Sequence, residues 1–213
     1  MNQYLLFGIV ALAIAATGAY FFGVRKNRAL AAAYSAECEG ALRPKDRDYV
    51  NIGGAIGFQL TYRLGEPWTE AKGTITLAAR QSLLYLPVSL LLGMRDRFAI
   101  NVFTARAMRG EGHLLSASWE RAHGASIEGR DRMQRETLDA GGKHFVILYD
   151  HDDLAPFLKT LAENLPQAER FRHFCWYGQN KTVFLHLAPR VGTVGAVMSF
   201  VMPRVTERLK AGA

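Results

Sequence analysis

Phe58-Gln59-Leu60-Thr61-Tyr62-Arg63-Leu64 alternates apolar and polar side chains, the period-two signature of a β-strand with one buried face. Gly65-Glu66-Pro67 ends it. Downstream, Gly73 to Leu77 predicts a second strand and the continuously apolar Leu83 to Leu92 a third. Arg97 to Thr104 predicts a fourth, after a turn at Gly93-Met94-Arg95-Asp96, with Phe98, Ile100 and Val102 on one face. The first half therefore reads as an antiparallel β-meander. Within it, the apolar run Leu83 to Met94 is too short to cross a bilayer as a helix but could dip into its interface. Pro87 argues against a central place in a sheet. A strand or strand-loop in the core is the expectation, with membrane contact as the alternative.

Upstream of Phe58, Gly53-Gly54-Ala55-Ile56-Gly57 is the one glycine-dense loop. It lacks the GxGxxG spacing, and no Gly-Lys-Ser/Thr follows, so a turn explains it better than a nucleotide. Arg43-Pro44-Lys45-Asp46-Arg47-Asp48 reads as a polar linker.

In the second half, the charged segment Glu120 to Asp139 carries Gly124 and Gly129 and predicts a helix only weakly. His144 to Tyr149 is a short apolar strand. Asp152 to Leu165 places Leu154, Phe157, Leu158, Leu161 and Leu165 on one helical face, with Asp152 or Asp153 as N-cap and Pro156 in the first turn. Arg172 to Tyr177 and Thr182 to Leu187 predict a hairpin around Gly178-Gln179-Asn180-Lys181. Val191 to Lys210 closes the chain as a helix with the stripe Val194, Met198, Val201, Val205, Leu209 and a kink at Pro203. Strands first and a mixed second half predict an α+β fold. One N-terminal transmembrane helix precedes a single domain with a β-meander and two or three packed helices.

The chain has 213 residues, 49% hydrophobic and 21% charged, which excludes disordered, collagen-like and coiled-coil classes. No Asp, Glu, Lys or Arg precedes Arg25, so the formal charge of +7 lies wholly on residues 25 to 213. Leu5 to Val24 is an uncharged stretch that spans about 30 Å as a helix, the thickness of a hydrocarbon core. A cleaved signal peptide is the rival reading, but Met1-Asn2-Gln3-Tyr4 offers no basic side chain, and the apolar run continues through Tyr20-Phe21-Phe22 past Thr17-Gly18-Ala19. Arg25, Lys26 and Arg28 cluster just after the span. By the positive-inside rule the N-terminus faces outward and the C-terminal domain the cytoplasm, with these three cations against the membrane surface.

Ala11, Ala15, Ala19 and Gly23 form a strip of small residues on which a second helix could pack. Arg28 to Glu39 continues helically until Gly40. The expected division is 1–24 as transmembrane anchor, 25–40 as juxtamembrane helix and 41–213 as cytoplasmic domain.

Two cysteines, Cys38 and Cys175, are too few for a disulfide framework and match no CxxC site. If Tyr177 pairs with Thr182, antiparallel register sets His173 opposite His186 with Cys175 on the same face, a set that could hold zinc with one position open. A half-buried strand face that carries histidines is the plainer explanation, so the expectation is no metal and no cofactor. Facing imidazoles would also repel once both are protonated. Asp150-His151-Asp152-Asp153 opens a helix and could chelate a cation or act as acid/base, but capping accounts for it. No GxSxG elbow or HExxH helix occurs. The basic residues alternate with acids, as in Arg95-Asp96-Arg97 and Glu128-Gly129-Arg130-Asp131-Arg132, which argues against nucleic acid.

The function expected is therefore a non-catalytic, single-span accessory or scaffold protein. Its partners are the bilayer and other membrane subunits, on which it docks or which it helps assemble. A membrane-tethered enzyme, such as a metal-dependent hydrolase, and a module that binds anionic lipid are the alternatives.

Overall fold

A computed structural model describes residues 3–211, Ala125 by its backbone alone. Met1 and Asn2 of the expected outward tail, and Gly212 and Ala213 at the end of the expected domain, lie outside the described residues. The fold is α+β, with five α-helices and nine strands among the described residues. The sheet is antiparallel throughout, in the order β1-β2-β3-β4-β9-β8-β5-β7-β6. Strands β1 (Asp46–Asn51), β2 (Gly57–Arg63), β3 (Trp68–Thr76) and β4 (Arg97–Thr104) form a meander, of which β2, β3 and β4 were expected and β1 was not. The remainder are β5 (Glu111–Ser116), β6 (Gln134–Ala140), β7 (Lys143–Tyr149), β8 (Phe171–Tyr177) and β9 (Thr182–Leu187).

Helix α1 (Gln3–Leu42) is a single 40-residue element. Its apolar half meets the length and hydropathy needed to cross a membrane, and none of its most apolar window is buried. The second half is different: Asn27, Ala31, Tyr34 and Cys38 recur at helical spacing and are buried. Residues read as a juxtamembrane helix thus contribute to the core, and Ala31, Tyr34 and Cys38 belong to the same apolar cluster as Leu60, Phe174 and Val201. Gly40 does not stop the helix; it runs to Leu42, and Arg43 takes up φ 48.

Helices α4 (Leu154–Glu163) and α5 (Thr193–Ala211) complete the core on that side of the sheet. Alternation sorts the central strand β5 cleanly. Leu114 faces this large core, whereas Leu115 joins Val146 and Leu148 in a small cluster on the opposite face, under Trp119 of α3 (Ala117–His123).

The third expected strand is a helix, α2 (Tyr85–Leu91). β3 and β4 pair directly with each other along their length, which leaves no slot between them. Ser82 starts the helical turn: its carbonyl accepts from the Leu86 N–H and its hydroxyl from the Tyr85 N–H. Pro87 falls in the first turn, where its missing N–H costs nothing. The segment Glu120 to Asp139 is not one helix either. α3 ends at His123, two short 3-10 turns follow, Gly129 takes φ +70, and the charged remainder becomes the edge strand β6. The Arg43 to Asp48 linker likewise contains the start of the other edge strand, β1, which is exposed along its whole length. Charged, exposed edges protect a sheet from pairing with another chain.

Candidate functional site

The hairpin β8–β9 has the expected register, with Tyr177 opposite Thr182 and His173 opposite His186. Phe174, Trp176, Val183, Leu185 and Leu187 face the large core. The residues brought closest to His173, however, come from a strand that sequence reasoning missed. β5 pairs with β8 so that His113 lies opposite Cys175, and His113, His173 and Cys175 are buried with potential ligand atoms within 4.8 Å of one another. The His186 ring turns away, edge-on to Trp119 at 4.5 Å. The one signal for His113 was its place in Glu111-Gly112-His113-Leu114-Leu115, a run too short and too glycine-interrupted to show a period.

These groups satisfy one another. Glu111 Oε1 accepts from His113 Nε2 at 2.9 Å, which leaves His113 Nδ1 as the acceptor for His173 Nε2–H at 2.9 Å. Cys175 Sγ lies 3.8 Å from His113 Nε2. Burial pushes the Cys175 thiol well above its usual range, so it is protonated. His173 is pushed down to about 3, by burial first and then by His113 and His186. A metal would have to displace the His173 proton and ionise the thiol. The arrangement is that of a hydrogen-bonded polar cluster inside a sheet.

In the acidic segment, His151 Nδ1 lies 3.0 Å from Asp150 Oδ1 at the surface, so these two candidate acid/base groups are in contact, while the three carboxylates also take separate partners. Asp150 Oδ1 accepts from the Glu111 N–H at 2.6 Å, Asp152 accepts from Gln134, and Asp153 pairs with Arg208 of α5 at 2.6 Å. Asp153 occupies the N-cap position of α4, yet its side chain makes no capping bond. The glycine-dense loop is the β1–β2 turn: Gly54 has φ +61, and Asn51 bonds both the Gly53 N–H and the Gly54 carbonyl.

A group of cations lies where α1 meets the sheet. Arg25, Lys26 and Arg28 are exposed. Lys26 lines a cleft of about 690 Å³ together with Arg95, Arg97, Arg170, Arg172 and Arg190. Arg80 also reaches it but is committed: it forms a two-pronged pair with Asp96 at 2.9 and 2.7 Å and donates to Asn27 Oδ1 at 3.0 Å. Among the described residues, Asp96 is the only acidic one lining the cleft. Arg170 has one distant partner, Glu169 at 3.9 Å. Burial and the adjacent Arg170 guanidinium hold Arg172 below its ordinary range. His186, at the same cleft, is pushed down to about 4 by burial and then by Arg97, Arg172 and His123. Like charges that depress one another's protonation mark an uncompensated positive potential.

Of the small-residue strip, Ala11 and Ala15 are exposed, Ala19 is half-buried and Gly23 is buried. What meets Gly23 is this chain's own backbone at Arg80 and Gln81. Next to that contact, α2 and its flanks expose Leu84 (76%), Leu91 (88%) and Leu92 (69%) to solvent.

No protein-family model matches the chain, and no curated protein matches it in sequence. In structure it is similar to the crystal structure of the mycobacterial trehalose monomycolate transport factor A, TtfA. The TM-score is 0.44 and the identity 8%, over 83% of this chain and 95% of that one.

Proposed function

We propose that this chain is a non-catalytic accessory protein, anchored by a single span. Its α+β domain, held against the cytoplasmic leaflet, docks on or helps assemble a complex of membrane subunits. The observation that supports this most directly is the continuity of α1. Its exposed apolar half and its core-forming half are one helix, without a break at the span's end. A domain joined in this way has a fixed height and tilt relative to the bilayer, which suits a part that must fit against another membrane protein. The basic flank Arg25, Lys26 and Arg28 orients the domain towards the cytoplasm.

The test is gentle detergent extraction from native membranes, native gel separation and mass spectrometry of what comigrates. Comigration with a defined complex is expected. A lone monomer, with no stoichiometric partner in native pull-downs, overturns the accessory reading. A reporter fused after Ala213 that is active only on the outer side of the membrane overturns the orientation.

A further inference from the structure

Three placements coincide at one end of the domain. Gly23, next to the end of the apolar stretch, is packed on the backbone of Arg80 and Gln81. A few residues on comes α2, where Val88 and Leu91 and the flanking Leu84 and Leu92 are exposed. The cleft with its unneutralised cations opens beside both, with Lys26 of α1 and Leu90 of α2 in its wall.

If Leu5 to Val24 spans the bilayer, Gly23 stands at the boundary between hydrocarbon and headgroups, and Arg80 and Gln81 stand at the same depth. The exposed leucines then have an apolar medium to enter, which water does not offer them. The cations of the cleft stand at headgroup level, where phosphate groups are the abundant anion. Lys26, Arg95, Arg97 and Arg190 have no carboxylate partner among the described residues. A phosphate diester between them would remove the mutual repulsion of the Arg170, Arg172 and Arg97 charges and accept several guanidinium N–H groups at once.

We propose that α2 is seated in the bilayer interface and that the arginine-lined cleft beside it binds the phosphate headgroup of an anionic membrane lipid. This rests on the reading of α1 as an anchor. It adds a ligand class and a second membrane contact to that reading. The site is non-covalent; it holds a headgroup and transforms nothing.

The test uses the full chain in neutral maltoside micelles, titrated with phosphatidylglycerol or phosphatidylcholine and read by native mass spectrometry. Retention of phosphatidylglycerol in preference to phosphatidylcholine is expected. In the variant Arg95→Gln, Arg97→Gln, Arg190→Gln, whose three positions are all exposed, the preference should fall roughly fivefold per arginine removed. No preference, or one that the triple variant keeps, overturns the site. Inorganic phosphate that binds as tightly as the lipid, or displaces it at equal concentration, assigns the cleft to a soluble phosphate and overturns the lipid assignment.

For α2, Leu91→Cys labelled with an environment-sensitive fluorophore reports depth in nanodiscs, since Cys38 and Cys175 are both buried. Blue-shifted emission quenched by brominated lipid chains is expected; emission as in water overturns the seating of α2. Carbonate washing of native membranes separates the two failures. Release of the protein overturns the anchor, whereas retention without lipid preference overturns the headgroup site alone.

Discussion

Gly23 of α1 lies against the backbone of Arg80. A β-carbon there would stand 2.2 Å from the Arg80 carbonyl oxygen and 2.3 Å from the Gln81 nitrogen. Backbone cannot rotate out of the way as a side chain can, so the helix and the β3–α2 connection would have to separate. Gly23→Leu is expected to cost about 1–3 kcal/mol, the usual range for overpacking. Gly18→Leu, whose β-carbon meets nothing within 4 Å, should be neutral. Thermal unfolding of both variants in the same detergent checks this; equal melting temperatures would mean that the contact does not hold α1 to the domain.

The same junction is tied by polar groups. Buried Asn27 donates to the Ala78 carbonyl at 2.9 Å and accepts from Arg80, while Asp96 accepts from the Ala78 N–H at 2.9 Å. Asn27→Leu keeps the volume close but removes one of the two donors to the Ala78 carbonyl, leaving the Arg80 N–H at 2.8 Å, and strands one guanidinium N–H. A loss of about 1–3 kcal/mol is expected from chemical denaturation. Arg28→Leu, one position on and exposed, serves as the control.

Acid should destabilise the domain through two buried histidines. His173 and His186 have folded values of about 3 and about 4, below the 6.5 of the unfolded chain. The unfolded state therefore binds more protons between those values. The stability these two histidines contribute as neutral groups is complete above about pH 6.5 and falls as the pH drops below it. Below pH 6 the loss is up to about 1.4 kcal/mol per pH unit for each histidine. Melting temperatures between pH 7 and 5 should drop steeply, and His186→Gln should flatten the slope. A flat wild-type profile would show that neither imidazole is held neutral.

Because Glu111, His113 and His173 complete one another's hydrogen bonds, protein purified without chelators is expected to carry well under one equivalent of zinc. Elemental analysis decides it. One equivalent that disappears in His113→Ala would reverse this and bring back the metal-dependent enzyme reading.

Wherever burial is one-sided, the chain declares its structure locally. Phe58 to Leu64, Arg97 to Thr104 and Leu154 to Leu165 carry their periods in the side chains, and the β8–β9 hairpin carries its register in its short turn, which is why His173 and His186 could be paired in advance. The apolar stretch before Arg25 and the placement of charge after it are also purely sequential facts. Tertiary structure decided everything that depends on what a segment meets. β1 is an edge exposed throughout, and β6 is an edge that only half-buries Glu136, Leu138 and Ala140, so no clear apolar period marks either. Leu83 to Met94 is apolar without a period, and it became a helix because β3 and β4 closed on each other and excluded it. His113 joined His173 only because β5, distant in sequence, inserts between β7 and β8. The cleft cations come from α1, from the start of β4 and the segment before it, from β8 and its approach, and from the approach to α5. Spacing along the chain reports a residue's own face, whereas a site built from several elements exists only once long-range pairing has fixed which faces come together.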